Sequence, residues 1–449
     1  MKTSNNNAGS PPVVDGVKNI LRALRNRNYR LFFFGQGISL IGTWMQQLAM
    51  SWLVYRLTGS VFLLGVVSFS GQIPISIVAP YAGVIADKLD RHKILFVTQT
   101  LAMIQALVLA ILVVTDRILS WHIIALSILL GIINGFDMPT RQAFVYDLVD
   151  MEEDLPNAIA LNSMIFNGAR LIGPSIAGLV IELVGESACF FLNAVSFLAV
   201  LASLAAIKIP SAKNFTRHNG TVLTGLKDGF SYAFGSVPIR TILLLLAVVS
   251  LFMMPYAVLM PVFAKDILHG GPRTLGLLMG AVGVGALIGA VFLASRKSMQ
   301  GIDKIMILAV CILGSSIILF SFSRLLTLSL FLMLLTGFGL MVQMASANTV
   351  LQSVVDVDKR GRVMSLYTMS FMGMAPFGSL LAGFIAFHIG APHTILISGT
   401  FCLVAAAIFS RQLPEIRKAI HPIFVRKGIL PQVADGIGTA TQLSAETKE

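Results

Sequence analysis

Charge is scarce in this chain: Asp, Glu, Lys and Arg make up 12% of its 449 residues, where a soluble globular protein carries about a quarter. That shortage excludes a cytosolic enzyme and also a disordered chain, which needs high charge and low hydrophobicity. Cysteine is rarer still. Cys189, Cys311 and Cys402 sit inside apolar runs without CxxC spacing, so a disulfide scaffold, a zinc site and a redox pair are all unsupported. No GxxxxGK(S/T) phosphate loop, HExxH or GxSxG is present, and His92, His218, His269, His393 and His421 fall in or near loops. ATP-driven pumping and hydrolytic catalysis therefore have no residues to carry them; the expectation is a protein that is not an enzyme, with no cofactor and no bound metal. What the chain has is apolar length. Hydrophobic residues make up 56% and the mean hydropathy is +0.83, a balance that points to lipid as solvent.

A helix crosses a bilayer in about 20 mostly apolar residues. Charge-free windows run from Leu31 to Tyr55, Leu57 to Ala86, Ile94 to Thr115 and Ile118 to Phe136. A fifth runs from Pro156 to Ile181, interrupted by Arg170, and a sixth from Ser187 to Ile207. Residues 208–240 form the longest polar interior segment, with a linker composition. Six more spans follow: Thr241 to Ala264, Thr274 to Ser295, Ile305 to Ser323, Leu325 to Val355, and a pair within Val363 to Ser410 joined at Gly390, Ala391 and Pro392. The expected organisation is an N-tail (1–30), a six-helix bundle (31–207), a central loop (208–240), a second six-helix bundle (241–411) and a C-tail (412–449).

With both tails on the cytoplasmic side, 26 of the 33 Lys and Arg lie in cytoplasmic segments and five (Arg56, Arg117, Lys265, Arg273 and Arg324) in outer loops. This bias is the positive-inside signature, and it explains the net charge of +12 through anionic inner-leaflet lipid rather than nucleic acid. Residues 1–30 lack the apolar core of a secretory signal. Val17, Ile20, Leu21 and Leu24 oppose Lys18, Arg22 and Arg25 there, a spacing that would lay a short helix on the membrane surface or arise by chance in a disordered tail.

The two halves repeat one another. Gly131 and Gly337 align at an offset of 206, as do Asp150 and Asp356; Met164, Gly168, Gly173 and Gly178 match Met369, Gly373, Gly378 and Gly383 one residue out of step. Duplicated bundles of this kind place a cavity between them near the bilayer midplane.

Between spans two and three, Gly83, Asp87, Lys88, Asp90, Arg91 and Lys93 form a tight charged loop at the helix ends. It resembles the loop 2/3 signature of the major facilitator superfamily, with Asp90 in place of the usual glycine and His92 in place of a basic residue. The fifth span carries Gly168, Gly173, Pro174 and Gly178, which resembles that superfamily's antiporter motif with one extra residue before the last glycine; the same glycines also permit close helix packing. With the strings Trp52 to Ser60, Ala86 to Arg91, Pro139 to Gln142 and Ala169 to Pro174, the chain from Asn28 to Arg411 is similar to the enterobactin exporter and macrolide efflux branch. The resemblance implies an all-α membrane protein of twelve transmembrane helices in two pseudo-symmetric six-helix bundles, the major facilitator fold. It further implies a monomer in the bacterial inner membrane that exports a siderophore or amphipathic drug-like molecule by alternating access in exchange for protons. The loop 2/3 motif would latch the halves on the cytoplasmic side while the cavity faces outward. A lysophospholipid flippase or an importer on the same fold is the alternative; a receptor or scaffold would need an extramembrane module that these tails are too short to hold.

A charge at the bilayer centre costs about 2.5–3.5 kcal/mol on insertion scales, so Asp137, Arg141 and Arg170 need partners. Asp137 and Arg141 share a helix face. Two readings stay open: Asp137 titrates in the cycle with Arg141 or Arg170 compensating it, or the charges form a permanent salt bridge. Arg141 is also placed to pair with Asp87. On span one Gln36, Ser39, Thr43, Gln46 and Gln47 fall within roughly 100° of one another and are expected to face the cavity. Asn162, Asn167, Asn193, Gln343 and Asn348 are lesser candidates, and Met253, Met254, Met341, Met344 and Met372 with Tyr256 and Phe371 are candidates for an apolar lining.

Overall fold

The computed structural model describes residues 21–426 apart from 87, 150, 208–221, 254–255, 297–300 and 357–358. These residues form helices and connecting turns. Helices α1 (Arg27–Thr58), α2 (Val61–Ala86), α3 (Arg91–Val114), α4 (Ser120–Leu148), α5 (Leu155–Val184) and α6 (Glu186–Ala206) make the N-terminal half. After α7 (Val222–Gly235) come α8 (Val237–Ile267), α9 (Pro272–Ala294), α10 (Ile302–Phe322), α11 (Leu326–Val354), α12 (Arg360–Ile389) and α13 (Ala391–Arg426). Among the described residues eleven helices are long and apolar enough to cross a membrane. The 32-residue α1 is the twelfth, less apolar because it carries the polar stripe, and packed into its bundle like the rest.

Local chemistry sets the helix limits. The Asn26 side chain accepts hydrogen bonds from the Asn28 and Tyr29 amides at 2.9 and 3.3 Å, satisfying donors that the start of α1 leaves free, and Gly59 ends it at φ +60°. Asp90, which departs from the family glycine, caps α3 by accepting from the His92 amide at 3.0 Å. In α12 the turn Met369–Gly373 widens to a π-helix just before Pro376, which cannot donate to the carbonyl four residues back. Ser250 of α8 donates instead to the nearby Phe371 carbonyl.

Three sequence-based limits move. The polar segment expected at 208–240 contains α7, and α8 begins at Val237. The last helix does not stop at Arg411 but runs to Arg426, because past the apolar stretch it becomes amphipathic: Ile416 is buried, while Arg417 meets Asp303 at 2.5 Å. Of the expected surface helix in the N-tail, residues 17–20 lie outside the described residues, and Arg22–Arg25 is a short 3-10 turn. It is pinned to the α4–α5 connection by an Arg22–Asp154 ion pair and by the Ala23 amide donating to Asn157 Oδ1 at 2.9 Å.

Each half packs within itself, α1 on α5 and α6, α2 on α4, α3 on α4 and α6, then α9 and α10 on α11, α10 and α8 on α13. The tightest seam joins α9 to α11: a Cβ added at Gly285 would stand 1.8 Å from the Leu334 carbonyl oxygen. Gly285→Val is expected to lose about 3 kcal/mol by overpacking and to lower the melting temperature measured in detergent. Gly361→Ala, which meets open space, is expected to leave it unchanged or slightly raised.

Candidate functional site

Two seams hold the halves together, α5 against α9 and α2 against α12, and both close at the face opposite the tails. There the backbones meet through glycine. A Cβ on Gly178 would lie 2.7 Å from the Pro272 carbonyl oxygen and 2.9 Å from Gly276 Cα, and one on Gly65 would lie 2.7 Å from the Ser379 carbonyl oxygen and 3.0 Å from Gly383 Cα. Nearby, the Tyr55 hydroxyl of α1 donates to Asp266 of α8, and the Lys265 ammonium stands 5.5 Å from the Tyr55 ring centroid. Toward the tails this backbone contact ends. Gly83 of α2, Gly168 of α5 and Gly373 of α12 have no neighbouring atom within 4 Å of an added Cβ. The two bundles are thus sealed by backbone contact at one face and lack such glycine contact toward the face that bears the tails, the arrangement of a V.

The antiporter-like segment runs along the closed arm. Gly173 receives Trp44 of α1, whose Cβ would be 2.6 Å from an added one, Gly178 meets α9, and Gly283 of α9 fits against Leu171 at 2.8 Å. Pro174 is buried between them. Arg170 stands one residue beyond Leu171, where the seam ends and the opening begins. One of the open readings sets it against Asp137, but its guanidinium carbon lies 5.8 Å from the centroid of the Trp44 ring, and it interacts with the hydroxyl of Tyr256, a buried residue of α8 in the opposite half. Phe166, one turn earlier on α5, meets Trp44 edge-on at 5.8 Å. Asn162 and Asn167 are half-buried on this side of α5, and Asn167 donates to the Ser163 carbonyl at 2.9 Å.

Asp137 belongs to a separate cluster inside the N-terminal half. It is 3% exposed; Thr98 Oγ1 and Gln99 Nε2 of α3 donate to its Oδ1 at 3.0 and 2.6 Å, and Arg141 Nη2 stands 3.4 Å from Oδ2. Arg141 is therefore the arginine paired with Asp137, and Arg170 is not. Its alternative partner, Asp87, lies outside the described residues. The sequence offered no reason to select Thr98 and Gln99 beyond two adjacent polar residues in a charge-free window.

The polar stripe of α1 divides. Gln46 is buried between helices, donating to Gln105 Oε1 of α3 at 2.9 Å and accepting from Asn193 Nδ2 of α6 at 2.8 Å, so it joins three helices instead of lining an opening. Gln36 is buried as well. Thr43 is half-buried and donates to the Ser39 carbonyl at 3.0 Å, whereas Gln47 is exposed and lies roughly opposite the exposed apolar residues Phe34 and Ile38 on the helix. Gln343 is also corrected: it is fully buried in the C-terminal half, with neither side-chain atom hydrogen-bonded.

In the loop between α2 and α3, Arg91 is buried and reaches both oxygens of Asp147 on α4 at 3.1 Å, inside its own half, while Lys88 and Lys93 are exposed. The residues that shut the opposite face, Tyr55 and Asp266, were not singled out from sequence, since one lies at a span end and the other was read as loop.

Comparison with known proteins agrees with this architecture. A family model described as "Transmembrane secretion effector" matches residues 19–424. The staphyloferrin A transporter of Staphylococcus aureus is 27% identical over 85% of this chain and 95% of its own. The multidrug efflux pump Tap of Mycolicibacterium fortuitum is 25% identical over 86% of this chain and 95% of its own, and macrolide efflux protein A of Streptococcus pyogenes is 25% identical over 87% and 98%. Among solved structures, an inward-facing, occupied bacterial homologue of the human lysosomal transporter Spinster superposes with a TM-score of 0.69 at 12% identity, covering 92% of this chain and 99% of that one. The nucleoside transporter NupG gives 0.67 at 14% identity, covering 86% and 99%. With a family model spanning nearly its whole length, the chain belongs to the transmembrane secretion effector family of major facilitator transporters.

Proposed function

We propose that this multi-pass transporter exports a siderophore or an amphipathic drug-like molecule by alternating access, driven by proton entry, from the cytoplasmic face of the bacterial inner membrane. The observation that carries the reading is the V between the halves, glycine-sealed at one face and splayed at the other, with a cation at its apex. Rocking the bundles about that apex would seal the tail side and open the opposite side. The positive charge of the tails and of the loops on their side supports placing the open face in the cytoplasm. Substrates moved by the relatives, as their names state them, include staphyloferrin A and macrolides, and these support the substrate class. Asp137, a buried carboxylate held by two neutral donors and one arginine, is the proposed proton carrier.

The test is transport by the purified protein in proteoliposomes under an imposed pH gradient, screening a catecholate siderophore, a macrolide and a lysophospholipid. Movement of the siderophore or macrolide with accompanying proton flux is expected. Movement of the lysophospholipid alone would favour a flippase, and no movement of any with no proton flux would overturn the export reading.

A further inference from the structure

Arg170 is an intramembrane charge for which the described residues supply no counter-ion. By contrast, Asp137 has Arg141, Arg91 has Asp147, and Arg56 has Glu186 at 2.6 Å. Among the described residues no carboxylate lies within ion-pairing distance of Arg170; its neighbours are the Trp44 ring and the Tyr256 hydroxyl. It cannot relieve its charge by reaching lipid headgroups, for two reasons. It sits in the middle of a 30-residue helix. It also points away from the bilayer, since the exposed face of α5, with Ile172, Ile176, Leu179 and Leu183, lies roughly half a turn round the helix from it. An intramembrane ionisable group of this kind marks a substrate pathway, and here it stands where α5 parts from α9, at the closed end of the opening.

Its surroundings specify what would complete it. Trp44 lies on one side of the guanidinium, and Phe166 extends the aromatic wall toward the tail-side opening, since Phe166 and Arg170 are four residues apart on one face. A guanidinium whose neighbours are a ring and one hydroxyl has N–H donors to spare, and their fork matches the two oxygens of a carboxylate. We propose that Arg170 is the docking point for the anionic group of the transported molecule, a carboxylate or a group of like geometry, carried on a flat apolar body that lies against Trp44 and Phe166. Tyr256, in contact from the other half, would then report occupancy across the V, so that an anion at Arg170 draws both bundles onto one ligand. This inference rests on the export reading only in taking the cavity as the passage; binding can be measured without transport.

The experiment uses two probes that differ by one methyl group and the charge, N-dansyl-norleucine and its neutral methyl ester. Each is titrated into the full-length protein in detergent, with binding read as energy transfer from tryptophan to dansyl after subtraction of empty-micelle partition. The wild-type protein is expected to bind the carboxylate at least about tenfold more tightly than the ester, the discrimination typical of a charge-assisted pair. Arg170→Gln is expected to raise the Kd of the carboxylate by about tenfold while leaving that of the ester within about twofold; Arg170→Lys, which keeps the charge, is expected to retain a preference for the carboxylate. Equal binding of both probes by the wild type, binding of neither, or an undiminished preference in Arg170→Gln would overturn the proposal. A protein that fails here yet exports a neutral or cationic compound under a pH gradient leaves the export reading intact. One that passes here and exports nothing leaves the anion site standing and removes the export reading.

Discussion

Asp137→Asn is expected to cut pH-gradient-driven export in proteoliposomes by about 100-fold or more, while exchange of labelled for unlabelled substrate across the membrane without a gradient continues. The side chain is 3% exposed, and an amide of the same shape still accepts from Thr98 and Gln99 but cannot take up and release a proton. Under the proposed mechanism, gradient-driven export needs that exchange at each turnover, while substrate exchange needs only the rocking of the bundles. Replacing the carboxylate also strands Arg141, which costs several kcal/mol when one member of a buried pair is removed. The double variant Asp137→Asn with Arg141→Gln removes both charges, so a loss of coupling there cannot be ascribed to the stranded cation. Full proton-driven export by either variant would remove the coupling role and leave Asp137 as a structural tie from α4 to Thr98 and Gln99 of α3.

Gly178→Leu is expected to hold the far face open and to slow export on the order of 50-fold. The added Cβ meets the Pro272 carbonyl oxygen at 2.7 Å and Gly276 Cα at 2.9 Å, and both are backbone, which cannot swing aside. Overpacking of about 1–3 kcal/mol that burdens only the closed seam shifts the balance between the two conformations by roughly 5–150-fold. Spin labels placed at Val184 at the end of α5 and at His269 just before α9 would show it directly, as a distance longer by on the order of 5 Å. Gly178→Ala is expected to give a smaller shift in the same direction. An unchanged distance together with an unchanged rate would mean that these glycines are not what closes the V.

Much of this was legible from residue order. The spans, their number and the duplicated glycines follow from apolar length and from a repeat at a fixed offset, properties a linear string holds in full. The site was legible only in type. Sequence identifies Asp137, Arg141 and Arg170 as costly and therefore purposeful, yet it paired Asp137 with either arginine, because adjacency along a helix is visible and the rotation of one helix against another is not. The stripe on α1 shows the same limit. Gln46 and Gln47 are neighbours in the chain, but about 100° of rotation sends one into a knot with Gln105 and Asn193 and leaves the other exposed. Glycine at Gly178 and Gly276 signals close approach without naming what approaches, and only the packed halves reveal that each is the other's contact.

By itself, then, the amino-acid string determined that the protein lives in lipid, how often it crosses and that it is built twice, since burial of apolar surface and the bias of positive charge depend on composition and spacing alone. Tertiary structure decided which charges neutralise one another, which face is shut and which cation is left waiting at the apex, because each of those depends on distances between helices that are remote in the chain.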